Sequence, residues 1–385
     1  MRHFSVLRRT LLYMVFTLVT VAVALLLGEL ALRLIPIPGV EYNVSTYSDL
    51  TGHGLYPNST LIYRNERGDT ARRAINNIGY PDTEHEAEKQ SGMIRIGFFG
   101  DSYTEARQVE LDATFFRLIE NNLSKYGVET LAFGVSGFST LQSYITYRKW
   151  GEHFDLDLVV YVFVDNDPGD NIPELKAYAG IPYPTLTDSG ITVDNSFRGA
   201  ANKHRNAFIF QIGDYLTSRS LVFSTVSERL VLLLRHGIKR KVTEEDRWMA
   251  TKPENASAGD KAPSSDDSPS TWPIELRERT MRVTEAVILQ WSQEVESRSR
   301  NFLVFYVPRA REIGKAADQQ DSWKLWLEDF CRMHDIMLLD PSHALREAEL
   351  SGREVFYDHF TEDGHNAFAK SFVNWFQEAY PRSQN

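Results

Sequence analysis

An apolar run fills the chain from Leu11 to Gly28 and continues through Glu29-Leu30-Ala31-Leu32-Arg33-Leu34-Ile35 until Pro36 stops it. A charge-free run of that length crosses most of the ~30 Å hydrocarbon layer, so 11–35 reads as one membrane-spanning signal-anchor helix, with a cleaved signal peptide the runner-up, for which Ala22-Val23-Ala24 is only a poor small-x-small site. The pattern then changes. From 36 to 92 the chain is rich in Pro, Gly, Asn, Asp and charge, with isolated aromatics at Tyr42, Tyr47, Tyr56 and Tyr63. This is the composition of a stalk that becomes an N-terminal wrap. Within it, Asn76-Asn77-Ile78-Gly79-Tyr80-Pro81-Asp82 reads as a turn that pins an aromatic onto the following body.

Regular alternation begins at residue 93 and runs to 385. Ile94 to Phe99 is apolar enough for a buried strand and breaks at Gly100 into Asp101-Ser102-Tyr103-Thr104-Glu105. Ala113 to Tyr126 carries Phe115, Phe116, Leu118, Ile119 and Leu123 at helical spacing, and Val128 to Phe133 is the next strand, ending in Gly134-Val135-Ser136-Gly137. A helix over Thr140 to Phe154 leads to an apolar strand, Leu158 to Phe163, which ends in Val164-Asp165-Asn166-Asp167. Strands separated by helices predict βαβ units, a parallel sheet and a doubly wound layered α/β fold. The order is then interrupted by an insertion over about 173–272. In it Leu221 to His236 suits a helix, while 252–271, dominated by Ser, Ala, Asp, Pro and Lys, suits no packed structure. A long helix from Glu275, a strand over Asn301 to Val307, a helix carrying Trp323 and Trp326, a short strand at Ile336 to Asp340 and a last helix after His359 complete about five strands.

Charge and cysteine content narrow the partners and place the ends. The net charge of −10, from 52 acidic and 42 basic side chains, argues against a polyanion-binding surface and hence against nucleic acid. Cys331 is the single cysteine, which permits no internal disulfide and fits either side of a membrane. Arg2, Arg8 and Arg9 lie in the short basic flank, 1–10, on the N-terminal side of the apolar run. By the positive-inside rule that flank stays in the cytoplasm and the body is extracytoplasmic, whether periplasmic or extracellular.

The loops at the carboxyl ends of the strands carry the groups that acyl transfer requires: a nucleophile, a base, a group that orients the base, and donors for the oxyanion. Ser102 is the candidate nucleophile. His359 or His365 is the candidate base, with Asp358 or another nearby carboxylate to orient it. The oxyanion donors are the backbone N–H groups of Ser102 and Gly137 and the side-chain amide of Asn166, which donates without carrying charge. Each has a plain structural reading as well. Asp101-Ser102 suits a helix N-cap, Gly134 and Gly137 suit positive φ, and Asn166 suits a cap.

These four segments, Phe99-Gly100-Asp101-Ser102-Tyr103, Gly134-Val135-Ser136-Gly137, Val164-Asp165-Asn166-Asp167 and Asp358-His359-Phe360-Thr361-Glu362-Asp363-Gly364-His365, resemble the four signature blocks of the SGNH/GDSL hydrolase superfamily, in its order. The N-terminal anchor and Asn77-Ile78-Gly79-Tyr80 are similar to its membrane-anchored bacterial members. The resemblance implies a flavodoxin-like three-layer α/β/α fold and a Ser-His-Asp mechanism without metal or cofactor. It also implies esterase or acyltransferase activity on an acyl ester, for which the envelope location suggests an O-acetylated glycan or a lipid. One feature departs from the family pattern. The acid is expected three residues before the histidine, where this chain has Phe356; counted from His365 the same step reaches Glu362. His359 with Asp358 is the preferred pair, His365 with Glu362 the alternative, and His365 is expected to face solvent or the stalk. Asp358 adjoins His359, and neighbours in a regular strand point to opposite faces, so it can orient the imidazole only if the chain bends there. The rival readings are an O-acyltransferase that passes the acyl group to a sugar hydroxyl, and a catalytically silent glycan-binding or scaffold protein of the same fold.

Overall fold

The computed structural model describes residues 2–35, 37, 42–65, 67–176, 180–188, 190–199, 208–238, 269–313 and 323–379. Five parallel strands form the central sheet: β1 (Ile94–Gly100), β2 (Val128–Gly134), β3 (Leu158–Phe163), β4 (Asn301–Tyr306) and β5 (Met337–Leu339). Their spatial order is β2-β1-β3-β4-β5, the doubly wound order of flavodoxin-like folds.

The strands read as continuous apolar runs because both faces of the sheet are covered. On one face Phe99 stacks on Phe133 and meets Tyr147 and Trp291, which come from the helices Thr140–Trp150 and Ile274–Glu296. On the other, its neighbour Phe98 meets Phe115 from Phe115–Leu123 and Phe372 from the last helix, Glu362–Ala379. Alternate side chains of one strand thus serve two separate cores, and the result is a three-layer α/β/α domain. The Thr140 helix starts where a capping box places it, with Ser139 and Gln142 satisfying each other's backbone N–H groups.

The wrap contains structure that composition alone did not indicate. Two antiparallel ribbons, Ser45–Ser48 with Gly52–Leu55 and Thr60–Arg64 with Thr70–Ala74, lie before the sheet. The turn over Asn76 to Asp82 docks as its sequence suggests: Asn76 Oδ1 accepts from the Tyr80 N–H, Gly79 takes φ +91°, and the buried Tyr80 ring meets Phe133 edge-on. In the insertion, a ribbon of Tyr183–Thr187 with Gly190–Asp194 precedes the helices Phe208–Thr217 and Leu221–Ile238. The stretch expected to be unstructured lies outside the described residues as far as 268; 269–271 form one 3-10 turn leading to the buried Trp272.

The helix Arg2–Leu34 contains an apolar segment, Arg8–Leu34, with mean hydropathy 2.5 and no residue of its apolar window buried within the chain. It is long and apolar enough to cross a membrane.

Candidate active site

The order of strands reverses between β1 and β3, which are neighbours although β2 follows β1 in sequence. Above that point, at the carboxyl edge, an open α/β sheet forms its binding crevice. Ser102 follows β1, and Asn166 follows β3.

Ser102 opens the four-residue helix Ser102–Glu105, whose cap is Asp101: its Oδ1 accepts from the Tyr103 N–H at 3.0 Å. Two glycines let this helix sit against the strands. A Cβ at Gly134 would lie 2.2 Å from the Glu105 nitrogen, and one at Gly100 would lie 2.5 Å from Thr104 Oγ1. Gly134 does not take positive φ, so its role is close approach, whereas Gly137 does take positive φ, +79°.

The histidine arrives from the far end of the chain. His359 Nε2 lies 2.7 Å from Ser102 Oγ, and His359 Nδ1 lies 2.9 Å from Asp358 Oδ2. The chain does bend between those neighbours. Phe356–Tyr357 pairs antiparallel with His359–Phe360, and Asp358 at their junction takes φ +64°, in the left-handed region that Asp tolerates better than most residues. That turn folds the carboxylate back onto the imidazole of the next residue. The Tyr103 ring covers His359 with centroids 4.7 Å apart, and Tyr103 also meets Phe360 edge-on.

His365 lies elsewhere, and its expected exposure is corrected. It is buried, its ring stacks on Phe115, and Nδ1 accepts from the Phe115 N–H at 3.2 Å. It sits in the first turn of the last helix, on the face that enters the core, so burial, with the Arg73 charge adding, pushes its pKa down to about 3. Glu362 is exposed on the same turn. Of the two histidines, His359 is hydrogen-bonded to Ser102, while His365 supports the packing beneath.

The donor side is built by buried carboxylates that the sequence reading did not single out. Asn166 Nδ2 donates to Asp170 Oδ2 at 3.1 Å, and the Lys176 ammonium pairs with that same oxygen at 2.5 Å. The buried Asp167 accepts from the Val164 N–H and the Tyr161 hydroxyl, fixing the loop after β3. Glu105, also buried, accepts from the Ser136 N–H and so ties the Gly137 loop to the serine helix. Arg73 from the wrap donates to the carbonyls of Glu105 and Ala106, closing the other end of that helix. Burial pushes the Asp101 carboxyl up to about 6, with nearby Asp170 adding to the rise and the Tyr103 N–H, His359 and Asn166 opposing it. Among the described residues no group of His, Cys, Asp and Glu is arranged to hold a metal ion.

No family model and no curated protein matches the chain. Solved structures do. An acetyl xylan esterase is 12% identical, over 73% of this chain and 99% of its own, with a TM-score of 0.38. A member of the lipolytic G-D-S-L family from Veillonella parvula is 11% identical, over 74% and 98%, with a TM-score of 0.36. A lipase/acylhydrolase from Enterococcus faecalis is 11% identical, over 74% and 97%, with a TM-score of 0.37. Likenesses this distant leave the chemistry to the chain's own residues.

Those residues can do one kind of work without further parts. A hydroxyl within hydrogen-bond reach of an imidazole, which is held in turn by a carboxylate, can be deprotonated as it attacks a carbonyl carbon. Sequence alone pointed to the serine and the histidines through their motifs. Arg73, Glu105, Asp170 and Lys176 match no motif, and their roles show only in contacts that span 4 to 33 positions of the chain.

Proposed function

We propose that the chain is a serine esterase of SGNH/GDSL type that cleaves acyl esters through an acyl-enzyme on Ser102. The observation that carries this reading is the contact of Ser102 Oγ with His359 Nε2, with Asp358 on the opposite ring nitrogen. In the proposed mechanism Ser102 Oγ attacks the ester carbonyl as His359 Nε2 takes its proton. Asp358 accepts from Nδ1–H, fixes the productive tautomer and stabilises the imidazolium. The oxyanion is met by the Ser102 and Gly137 backbone N–H groups and by the Asn166 side-chain amide, which in the free protein is held by Asp170 and also interacts with Asp101. Collapse expels the alcohol, which leaves with the proton from His359. Water, activated by the same imidazole, then releases the acid and restores the serine. The scheme needs no cofactor.

The substrate we propose is an acyl ester of the cell envelope, with an O-acetylated glycan as the first candidate. Its setting follows from the N-terminal helix, read as an uncleaved anchor with the basic flank in the cytoplasm and the body outside.

Fluorophosphonate labelling of wild-type and Ser102→Ala protein tests the nucleophile. We expect a serine adduct in the wild type alone, together with turnover of acetyl model esters and acetylated saccharides. Absence of labelling in folded wild-type protein would remove the enzyme reading. A reporter fused after Asn385 tests the topology and should be active only on the outer side of the membrane.

A further inference from the structure

The helices Phe208–Thr217 and Leu221–Ile238 form a hairpin whose turn is fastened to the membrane helix. Glu29, in the last turns of that helix, accepts from the Ser220 hydroxyl at 2.9 Å and from the Val222 N–H at 3.1 Å, and Arg33 donates to the Arg219 carbonyl. The second hairpin helix is also bound to the body. Its buried Ser224 accepts from the Asn43 N–H at 3.0 Å, and Glu228 helps line a cavity of about 170 Å³ with His53, Glu105 and Ser136, next to the Gly137 loop.

Among the described side chains, the outer side of the hairpin carries an exposed apolar stripe flanked by Arg229. Phe223, Val226 and Leu230 recur at helical spacing, with Val226 59% and Leu230 53% exposed, and Ile212 and Tyr215 of the first helix are exposed beside them. Elsewhere on the body, exposed large apolar side chains include Leu186, Ile274, Leu350 and, on the helix Lys324–Met333 and the strand after it, Leu325, Met333 and Met337. At the turn, the Arg219 guanidinium lies over the Tyr215 ring at 4.4 Å and the Tyr56 ring at 5.2 Å, a cation and aromatics of the sort that settle at a membrane–water boundary.

We infer that this hairpin lies in the interface of the bilayer, with Phe223, Val226 and Leu230 among the lipid chains near the headgroups, and holds the active-site body against the membrane surface. The occupant follows from continuity: the turn is hydrogen-bonded to the very end of the apolar helix, where that helix would leave the hydrocarbon. An amphipathic helix lying in the interface buries such a face. The inference rests on reading 11–35 as a membrane anchor. It deepens the proposed function by placing the esterase where a membrane-borne acyl ester is presented.

Depth-resolved quenching tests it on the full chain reconstituted in phosphatidylcholine–phosphatidylglycerol vesicles. Val226→Cys and Leu230→Cys are each labelled with an environment-sensitive fluorophore, Leu18→Cys serves as the anchor control, and Leu350→Cys as an exposed control on the body. Cys331 is buried. We expect lipids spin-labelled near the headgroup to quench positions 226 and 230 at least threefold more than position 350, while position 18 responds most to deep labels. Quenching at 18 but not at 226 and 230 would overturn the hairpin inference alone. No quenching at 18 would overturn the anchor reading, and this inference with it. Disulfide cross-linking of Val226→Cys between two chains, without quenching, would assign the face to a second copy and also overturn the proposal.

Discussion

A single backbone angle decides whether Asp358 can serve His359. With extended geometry the two side chains would point apart; with φ +64° the carboxylate reaches Nδ1 at 2.9 Å. We expect His359→Ala to lose nearly all turnover and Asp358→Asn to lose less, since the imidazole would keep its contact with Ser102. Asn166→Ala should cost about a hundredfold or more in kcat, as loss of one oxyanion donor does. His365 behaves differently, because its place is in the core. His365→Ala would leave the Phe115 N–H unpaired and open a cavity, so its damage should appear as a lowered Tm, with the pH–rate profile of the surviving enzyme unchanged. The sign of its pH effect is fixed by burial. Its pKa is about 3 folded against 6.5 in the unfolded chain, so its stabilising contribution is present above pH 6.5 and is lost as pH falls toward 3. Denaturant titrations between pH 7 and pH 3 should therefore show an acid loss of stability that His365→Phe reduces. The motif spacing could not separate the two histidines by itself. What separates them is which face of a helix the second one occupies.

At the scale of elements, the sheet and its helices were legible because their signals are periodic. All five strands, their parallel pairing and most of the helices that cover them appear close to where alternation and helical spacing put them. The helix from Thr140 starts as expected but ends at Trp150 rather than Phe154, and the helix Ser342–Leu350, whose Leu345 is in the core, was not anticipated. The ribbons of the wrap were not legible, because strands of four or five residues with half-exposed patterns carry little periodicity. Gly134 is a related case. Its glycine was visible, but the reason for it was not, since close approach to another element is a tertiary fact. A Cβ there would strike the backbone of Thr104 and Glu105 at 2.2–2.3 Å, where no flexible side chain can yield. Gly134→Ala should therefore push the serine helix off β2, destabilise the fold by about 1–3 kcal/mol and depress kcat together with Tm, as paired activity and thermal-melting measurements would show.

The whole molecule depends on how the N-terminal wrap is fastened to the domain that carries Ser102, Asn166 and His359. One fastening lies toward the amino ends of β1 and β2, where Arg95 and Glu129 sit near the strand starts, away from the carboxyl edge that carries Ser102. His85 from the wrap lies between two carboxylates, with Nε2 3.2 Å from Asp82 and Nδ1 3.0 Å from Glu129. Those carboxylates are in turn paired with Arg117 and Arg95. Burial by itself would lower the His85 pKa, and Arg117 opposes protonation too, but the hydrogen bonds and charges of Asp82 and Glu129 outweigh both and raise it to about 9. The histidine is thus an imidazolium in the folded protein at neutral pH, while in the unfolded chain it titrates near 6.5. A raised folded pKa means that the native state holds the proton more tightly, so the stabilisation is fully present below pH 6.5 and is lost as pH rises through 9. We expect the unfolding free energy to fall by a few kcal/mol between pH 6.5 and 9.5, and His85→Gln to flatten that dependence while lowering stability at neutral pH, where the buried Asp82 and the partly buried Glu129 lose a cation. Denaturant titrations at half-unit pH steps would measure both slopes. An unchanged alkaline slope in the His85→Gln protein would assign the loss to other groups and leave the wrap held by Tyr80 and Arg73 rather than by this charge.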